Sequence, residues 1–266
     1  MIDRLDPAIF AIGSQTTTND RISFLRLQRL LRGRDGAYCY LEIGSHLGGS
    51  LVPHLADPRC AWVVSIDPRP LTQPDERGAL FAYEENSTAR MIAGLRRHLP
   101  EASLRRLQTF DLDAAAVPHA ELRRPVQLAL IDGEHTNTAA FSDFLSVLPL
   151  LADDAVVAWH DSNLITDAIQ NVERFLDHGQ IPYYSVFLPD NVAAIGLRGL
   201  AGPLRAGMRE VALERDPFVA EARRKRQMAV ALEVLTRNDL GLLYPLKRML
   251  RAAVTKRSGR RAGATA

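Results

Sequence analysis

Between residues 37 and 200 the chain alternates short apolar runs with segments whose apolar residues recur at helical spacing. That alternation is the pattern of a parallel sheet covered by helices on both faces. The runs are 37–43 (AYCYLEI), 61–66 (AWVVSI), 104–110 (LRRLQTF), 126–131 (VQLALI) and 155–159 (AVVAW). Each is short and rich in Val, Ile, Leu or aromatic residues, which predicts a buried strand. Two further runs, 181–188 (IPYYSVFL) and 192–198 (VAAIGLR), are separated by Pro189-Asp190-Asn191. With no room for a helix between them, that turn chemistry predicts an antiparallel hairpin. The expected fold class is α/β: a Rossmann-like open, mostly parallel seven-stranded sheet ending in an antiparallel hairpin.

Caps and periods place the helices. Asn19 or Asp20 can cap a helix through Leu31 with Gly33 as its stop, and Asn86 can cap another reaching about His98. A third covers 137–151, with Pro149 forcing an early end or a kink, and a fourth covers 165–178 before Gly179. In the tail, 219–235 and 240–254 carry apolar residues near helical spacing. The expected organisation is an N-terminal helical segment 1–36, a central domain 37–202 and a basic helical extension 203–266.

A length of 266 residues, 47% apolar, suits one large α/β domain with an appendage. Seventeen Gly, 15 Pro and 2 Cys exclude collagen-like, low-complexity and disulfide-framework chains. No run of 18 apolar residues predicts a membrane span, and the start (MIDRLDPAIF) lacks the basic and apolar regions of a signal peptide. The expected location is cytoplasmic, with Cys39 and Cys60 as buried reduced thiols. The net charge of +2 is a cancellation: residues 203–266 hold 15 Lys and Arg against 6 Asp and Glu, which leaves 18 against 25 in residues 1–202.

The first strand runs into Glu42-Ile43-Gly44-Ser45-His46-Leu47-Gly48-Gly49-Ser50. A Gly-rich turn between strand and helix lets a nucleotide-like ligand approach the backbone. A dinucleotide fingerprint would need glycine at position 46, which is His, so a pyrophosphate cofactor is disfavoured and an adenosine ligand without phosphates is compatible. Asp67 ends the second strand, 25 residues after Glu42, where a carboxylate can accept two hydrogen bonds from a ribose diol.

These residues resemble motif one and the acidic second-strand end of class I S-adenosylmethionine-dependent methyltransferases, whose sheet also ends in an antiparallel hairpin. The resemblance covers roughly residues 37–200 and implies that Glu42 helps hold the methionine part, that Gly44, Ser45 and Gly48 are further cofactor-binding residues, that Asp67 binds ribose, and that Asp111, or its rival Asp113, meets the adenine. The loop departs from the commoner Gly-x-Gly-x-Gly, because Ser45-His46-Leu47 stand between Gly44 and Gly48.

A second constellation is Ile131-Asp132-Gly133-Glu134-His135, followed 25 residues after His135 by His160-Asp161. Adjacent parallel strands would bring these ends together. Two carboxylates and two imidazoles suit a divalent metal, general acid–base chemistry, or both: Mg²⁺ or Mn²⁺ for an oxygen-rich set, non-haem iron for two His and one carboxylate. I-D-G-x-H, a helix containing Asp143 and then H-D look like the small-molecule subgroup related to macrolide sugar O-methyltransferases and cephalosporin hydroxylase-like proteins. That resemblance implies Asp132 and Asp161 as Mg²⁺ ligands, with His160 in the place of the acidic pair's first member, and His135 as the base. The expected activity is O-methylation of a sugar or small-molecule hydroxyl by S-adenosyl-L-methionine, with Mg²⁺ or another divalent metal as a second cofactor. Its rivals are a non-haem metal hydroxylase and a non-catalytic binding member of the fold.

His46 lies in the glycine loop, where it can touch substrate or face solvent. His54, His98, His119 and His178 lack convergent partners and read as surface or core residues, and Trp159 reads as core. The basic amphipathic stretch within 240–261 can lie on an anionic membrane surface or an acidic partner. Residues 219–235 suit packing on the domain or on a second subunit. No recognition fold points to nucleic acid.

Overall fold

The computed structural model describes residues 1–34, 36–122 and 124–237. Its strands are β1 (Tyr38–Ile43), β2 (Cys60–Ile66), β3 (Thr72–Pro74), β4 (Leu80–Ala82), β5 (Leu107–Phe110), β6 (Val126–Ile131), β7 (Leu151–Trp159), β8 (Tyr183–Phe187) and β9 (Ala193–Leu197). The helices are α1 (Thr18–Arg32), α2 (Leu51–Ala56), α3 (Thr88–Arg96), α4 (Glu101–Leu104), α5 (Asn137–Val147), α6 (Thr166–His178), α7 (Ala201–Met208) and α8 (Arg215–Arg237). Seven strands form one sheet in the order β5-β2-β1-β6-β7-β9-β8, parallel from β5 to β7 and antiparallel at β9 and β8. This is the Rossmann-like mixed sheet that the pattern predicts. The chain order reverses between β1 and β6, the switch point where open α/β sheets bind ligands.

Local chemistry moves several boundaries. Thr17, not Asn19 or Asp20, caps α1: its hydroxyl accepts from the Asp20 amide at 3.1 Å while the Asp20 carboxylate accepts from the Thr17 amide at 2.8 Å. This reciprocal capping box leaves Asp20 inside the first turn and fully buried. Ser87, not Asn86, caps α3. Pro149 ends α5 at Val147 through the 3-10 turn Leu148–Leu150, and the chain then enters β7 four residues earlier than the apolar run implies. The strand expected from residue 104 starts at Leu107, because α4 follows Pro100. The β3–β4 hairpin has no counterpart in the apolar pattern, since its short strands are largely exposed.

The two faces of the sheet carry separate apolar layers. Phe144, Ile169, Val172 and Leu176 from α5 and α6 cover one face, and Leu25, Leu51, Met91 and Leu95 from α1, α2 and α3 cover the other. The boundary expected at 202/203 falls inside α7, whose Leu204 and Met208 are buried in the second layer. The extension therefore begins as part of the core. α8 starts at Arg215, before the expected 219, and buries Val219 and Ala222. Among the described residues no helix is long and apolar enough to cross a membrane. The amphipathic stretch 240–261 lies outside the described residues.

Register sets the chemistry. Ile43 pairs with Ile66 and Ile131, Ile66 with Phe110, and Ile131 with Trp159. The next residues, Gly44, Asp67, Asp111, Asp132 and His160, therefore stand along one edge of the sheet.

Candidate active site

Glu42 is the last inward polar residue of β1 and is almost fully buried. Ser50 from the far end of the glycine loop and Tyr40 from the same strand both donate to its carboxylate, the latter at 2.8 Å. Burial pushes Glu42 up to about 8; the two hydroxyls oppose this, and Asp132 and Asp67 reinforce it. Gly44 turns the chain at φ 83°, and a Cβ there would stand 2.1 Å from the Asp132 carbonyl oxygen. Only glycine permits that approach. Gly48 also has positive φ, and its missing Cβ faces the Met91 side chain. The Ser45 hydroxyl lies beneath the loop, bonded to Ser65 and 3.7 Å from Met91 Sδ.

Asp67 stands at the end of β2 as expected, but its oxygens are engaged. They accept the His46 amide at 2.8 Å, the Arg69 amide at 2.8 Å and Arg69 Nη1 at 3.2 Å. Asp111, half exposed, accepts from the Thr88 hydroxyl and lies 3.6 Å from Arg69 Nε. Asp113 stands instead at the start of the 3-10 turn Ala114–Ala116.

Asp132 is the centre of the second constellation. Its Oδ1 is 3.0 Å from His160 Nδ1 and 3.2 Å from His135 Nε2. The opposite ring nitrogens also meet carboxylates: His160 Nε2 lies 3.3 Å from Asp20 Oδ2, and His135 Nδ1 lies 3.4 Å from Asp161 Oδ2. Carboxylates and imidazoles thus alternate from Asp20 through His160, Asp132 and His135 to Asp161. Asp20 reads from sequence as a cap alone; the Thr17-x-x-Asp20 spacing explains its place in the helix, but nothing local signals a partner 140 residues away.

Burial would raise Asp132, yet the two imidazoles reverse this and hold it well below the usual carboxylate range. Burial would lower His160, but Asp132, Asp20 and Asp161 raise it well above the ordinary histidine value. His135 is raised in the same sense, by Asp132 and Asp161. Beneath Gly133, burial pushes Asp143 up to about 7, with Asp113 and Glu134 adding to it.

The residues do not fit the Mg²⁺ site that the resemblance implies. The donor atoms that converge within 4.8 Å belong to Asp132, His135 and His160, without Asp161. One carboxylate and two imidazoles suit a borderline transition ion rather than Mg²⁺. Both nitrogens of His160 face carboxylates, and a ring protonated on both nitrogens has no lone pair for a metal.

One cavity joins the two constellations. Glu42, Gly44, His46 and Asp67 line it together with Asp132, His135, His160 and Asp161. Further walls come from segments that the apolar pattern leaves unassigned, among them Ser14, Gln15 and Thr16 ahead of α1 and Gln73 and Tyr83 from the hairpin region. The hairpin is tied to the loop after β6, because the Glu76 amide donates to the His135 carbonyl at 3.1 Å and Glu76 Oε1 accepts from the Asn137 amide at 2.7 Å. His46 lies in this wall at φ 44°, its ring edge-on to Tyr83. His54 is buried and stacked on Tyr40, and Trp159 is core.

Residues 41–162 match the sequence family described as Methyltransferase domain. No curated protein matches the chain. Among solved structures, Rv0187 from MTB, described as cofactor-bound, is 15% identical, with 74% of this chain and 88% of that one covered at a TM-score of 0.49. CalS11, a calicheamicin methyltransferase, is 18% identical over 73% of this chain and 90% of its own, at 0.48. SMU.1697c from Streptococcus mutans, in complex with SAH, is 12% identical over 69% of this chain and all of its own, at 0.48.

Proposed function

We propose that residues 41–162, which match the family described as Methyltransferase domain, form an S-adenosylmethionine-dependent methyltransferase domain, and that the chain methylates a hydroxyl of a sugar or small polar metabolite. One observation carries the reading: the glycine loop with Glu42 and the Asp132–His135 pair open into the same cavity. When bound, S-adenosylmethionine supplies a sulfonium methyl for in-line displacement, leaving as S-adenosylhomocysteine (SAH). Glu42, Gly44, Ser45 and Gly48 are assigned to its methionine end, Asp67 to its ribose and Asp111 to its adenine.

The chain's own task is to align the acceptor oxygen and take its proton. Asp132 accepts the Nε2–H of His135 and orients the ring; because Asp132 and Asp161 raise His135 above the ordinary histidine value, Nδ1 acts as the base once it has lost its proton, and turnover is expected to rise with pH through that raised value. Nδ1 meets only Asp161, at 3.4 Å, the longest contact of the chain of carboxylates and imidazoles. An acceptor hydroxyl entering between them gives its proton to Nδ1 as its oxygen bonds to the methyl carbon. Ser14, Gln15, Thr16, Gln73 and Tyr83 give this cavity hydroxyl and amide groups, which supports a polyhydroxylated acceptor.

Calorimetric titration with S-adenosylmethionine and SAH, with and without Mg²⁺, tests the cofactor. His135→Ala and Asp132→Ala are expected to bind SAH like the parent and to lose turnover by about 10²–10⁴-fold. Full activity in both would sink the base assignment. A second reading, a non-haem metal hydroxylase, is favoured only by the convergence of Asp132, His135 and His160. It requires stoichiometric iron and oxygen-dependent turnover.

A further inference from the structure

Arg69 is a buried cation with no part in the methyl-transfer chemistry assigned above. Its side chain is 7% exposed, and its backbone sits in the left-handed region at φ 56°. The guanidinium bridges the ends of β2 and β5. Nη1 is 3.2 Å from both Asp67 Oδ2 and Asn86 Oδ1, and it also donates to the His46 carbonyl. Nη2 is 3.4 Å from Ser45 Oγ and from Met91 Sδ, and Nε is 3.6 Å from Asp111 Oδ1.

A carboxylate offers about four acceptor positions. Asp67 spends three of them on the His46 amide, the Arg69 amide and the Arg69 side chain. A ribose diol needs two. An adenosine ligand therefore cannot engage Asp67 and Asp111 while the guanidinium lies between them.

We propose that Arg69 is a displaceable plug of the adenosine subsite, which an adenosine-bearing ligand must expel to bind. The inference rests on the assignment of Asp67 and Asp111 to ribose and adenine made above. Expulsion swings the guanidinium off Asp67, Asn86 and the His46 carbonyl by rotation of the side chain. It also reaches the acceptor side, because Arg69 leads into the segment that carries Gln73, Glu76 and Tyr83, and Glu76 holds the loop of His135. Cofactor occupancy and acceptor-pocket geometry are coupled through this segment.

The apparent dissociation constant of the parent protein is its intrinsic value divided by the fraction with the plug withdrawn. Calorimetric titration of SAH and of adenosine into the full chain, R69A, R69M and the double variant that adds D67N to R69A tests the proposal, with thermal melts confirming folding. R69A is expected to bind both ligands about tenfold tighter than the parent, R69M less so because it keeps bulk without charge, and the double variant weaker than R69A. Binding by R69A alone is the plug in its strongest form. Equal or weaker binding by R69A beside a binding parent overturns the plug, and unchanged binding on adding D67N to R69A overturns the ribose assignment on which it rests. Absence of SAH binding in every variant instead overturns the cofactor reading, and the plug with it. If R69A does not melt cooperatively, R69M decides.

Discussion

On the proposed assignment of Glu42 to the methionine end, cofactor binding is expected to release a proton. The Glu42 carboxyl is almost fully buried and is pushed up to about 8, so at pH 7 only about a tenth of the free protein carries the charge. A sulfonium with an α-ammonium group favours the ionised form, so binding draws off the proton. One pH unit below a pKa of 8 is worth about 1.4 kcal/mol, or tenfold in affinity. SAH and S-adenosylmethionine are therefore expected to bind about tenfold tighter at pH 7 than at pH 6, with the gain levelling near pH 8. The ligand's own amino group titrates near 7.7–8.0 and weakens binding above that range. The assay is calorimetry from pH 6 to 9 in two buffers of different ionisation enthalpy, on the parent and on Glu42→Gln. The parent should release close to one proton at pH 7 and show a maximum near pH 8; the variant should release none and show only the alkaline fall. Equal proton release by both proteins would refute the role of Glu42. The same shift acts on stability: the folded state holds a proton that the unfolded chain loses near 4.5, so Glu42 lowers stability as pH rises from about 4.5 to 8.

Other outcomes follow from packing and pairing. Gly44→Ala drives a Cβ to 2.1 Å from a backbone oxygen at φ 83° and is expected to cost about 4 kcal/mol or more, whereas Gly48→Ala, at φ 79° against the flexible Met91, should cost about 1–2 kcal/mol. Urea denaturation that ranks the two equally would contradict the close approach of the glycine loop to β6. Asp20→Asn leaves His160 with one carboxylate instead of two and removes an acceptor for the Thr17 or Asn191 amide, an expected loss of about 3 kcal/mol. Because His160 is raised above its unfolded value, its stabilisation is complete below about pH 6.5 and disappears as pH climbs through the folded value. In the variant that loss should begin at lower pH, and melting curves that superimpose with the parent's at every pH would refute the pairing.

The sequence alone determined the sheet and its edge. Short apolar runs followed by Gly, Asp or His and alternating with helical-period segments read as covered strands, and because parallel strands share a direction their C-terminal residues meet. Gly44, Asp67, Asp132 and His160 are accordingly found side by side. The Pro-Asp-Asn triplet likewise announced the antiparallel end, since turn chemistry is local. Tertiary structure decided what that adjacency means. Asp20 reads as a helix cap until α1 is docked, when the oxygen that accepts the Thr17 amide also reaches His160 and the other accepts the Asn191 amide; Arg69 and the exposed hairpin carry no apolar period, so nothing local places a guanidinium between Asp67 and Asp111. The expected Mg²⁺ set fails for the same reason. Residue order gives the strand ends their neighbours, but only packing turns Asp161 toward His135 and fills both nitrogens of His160 with carboxylates.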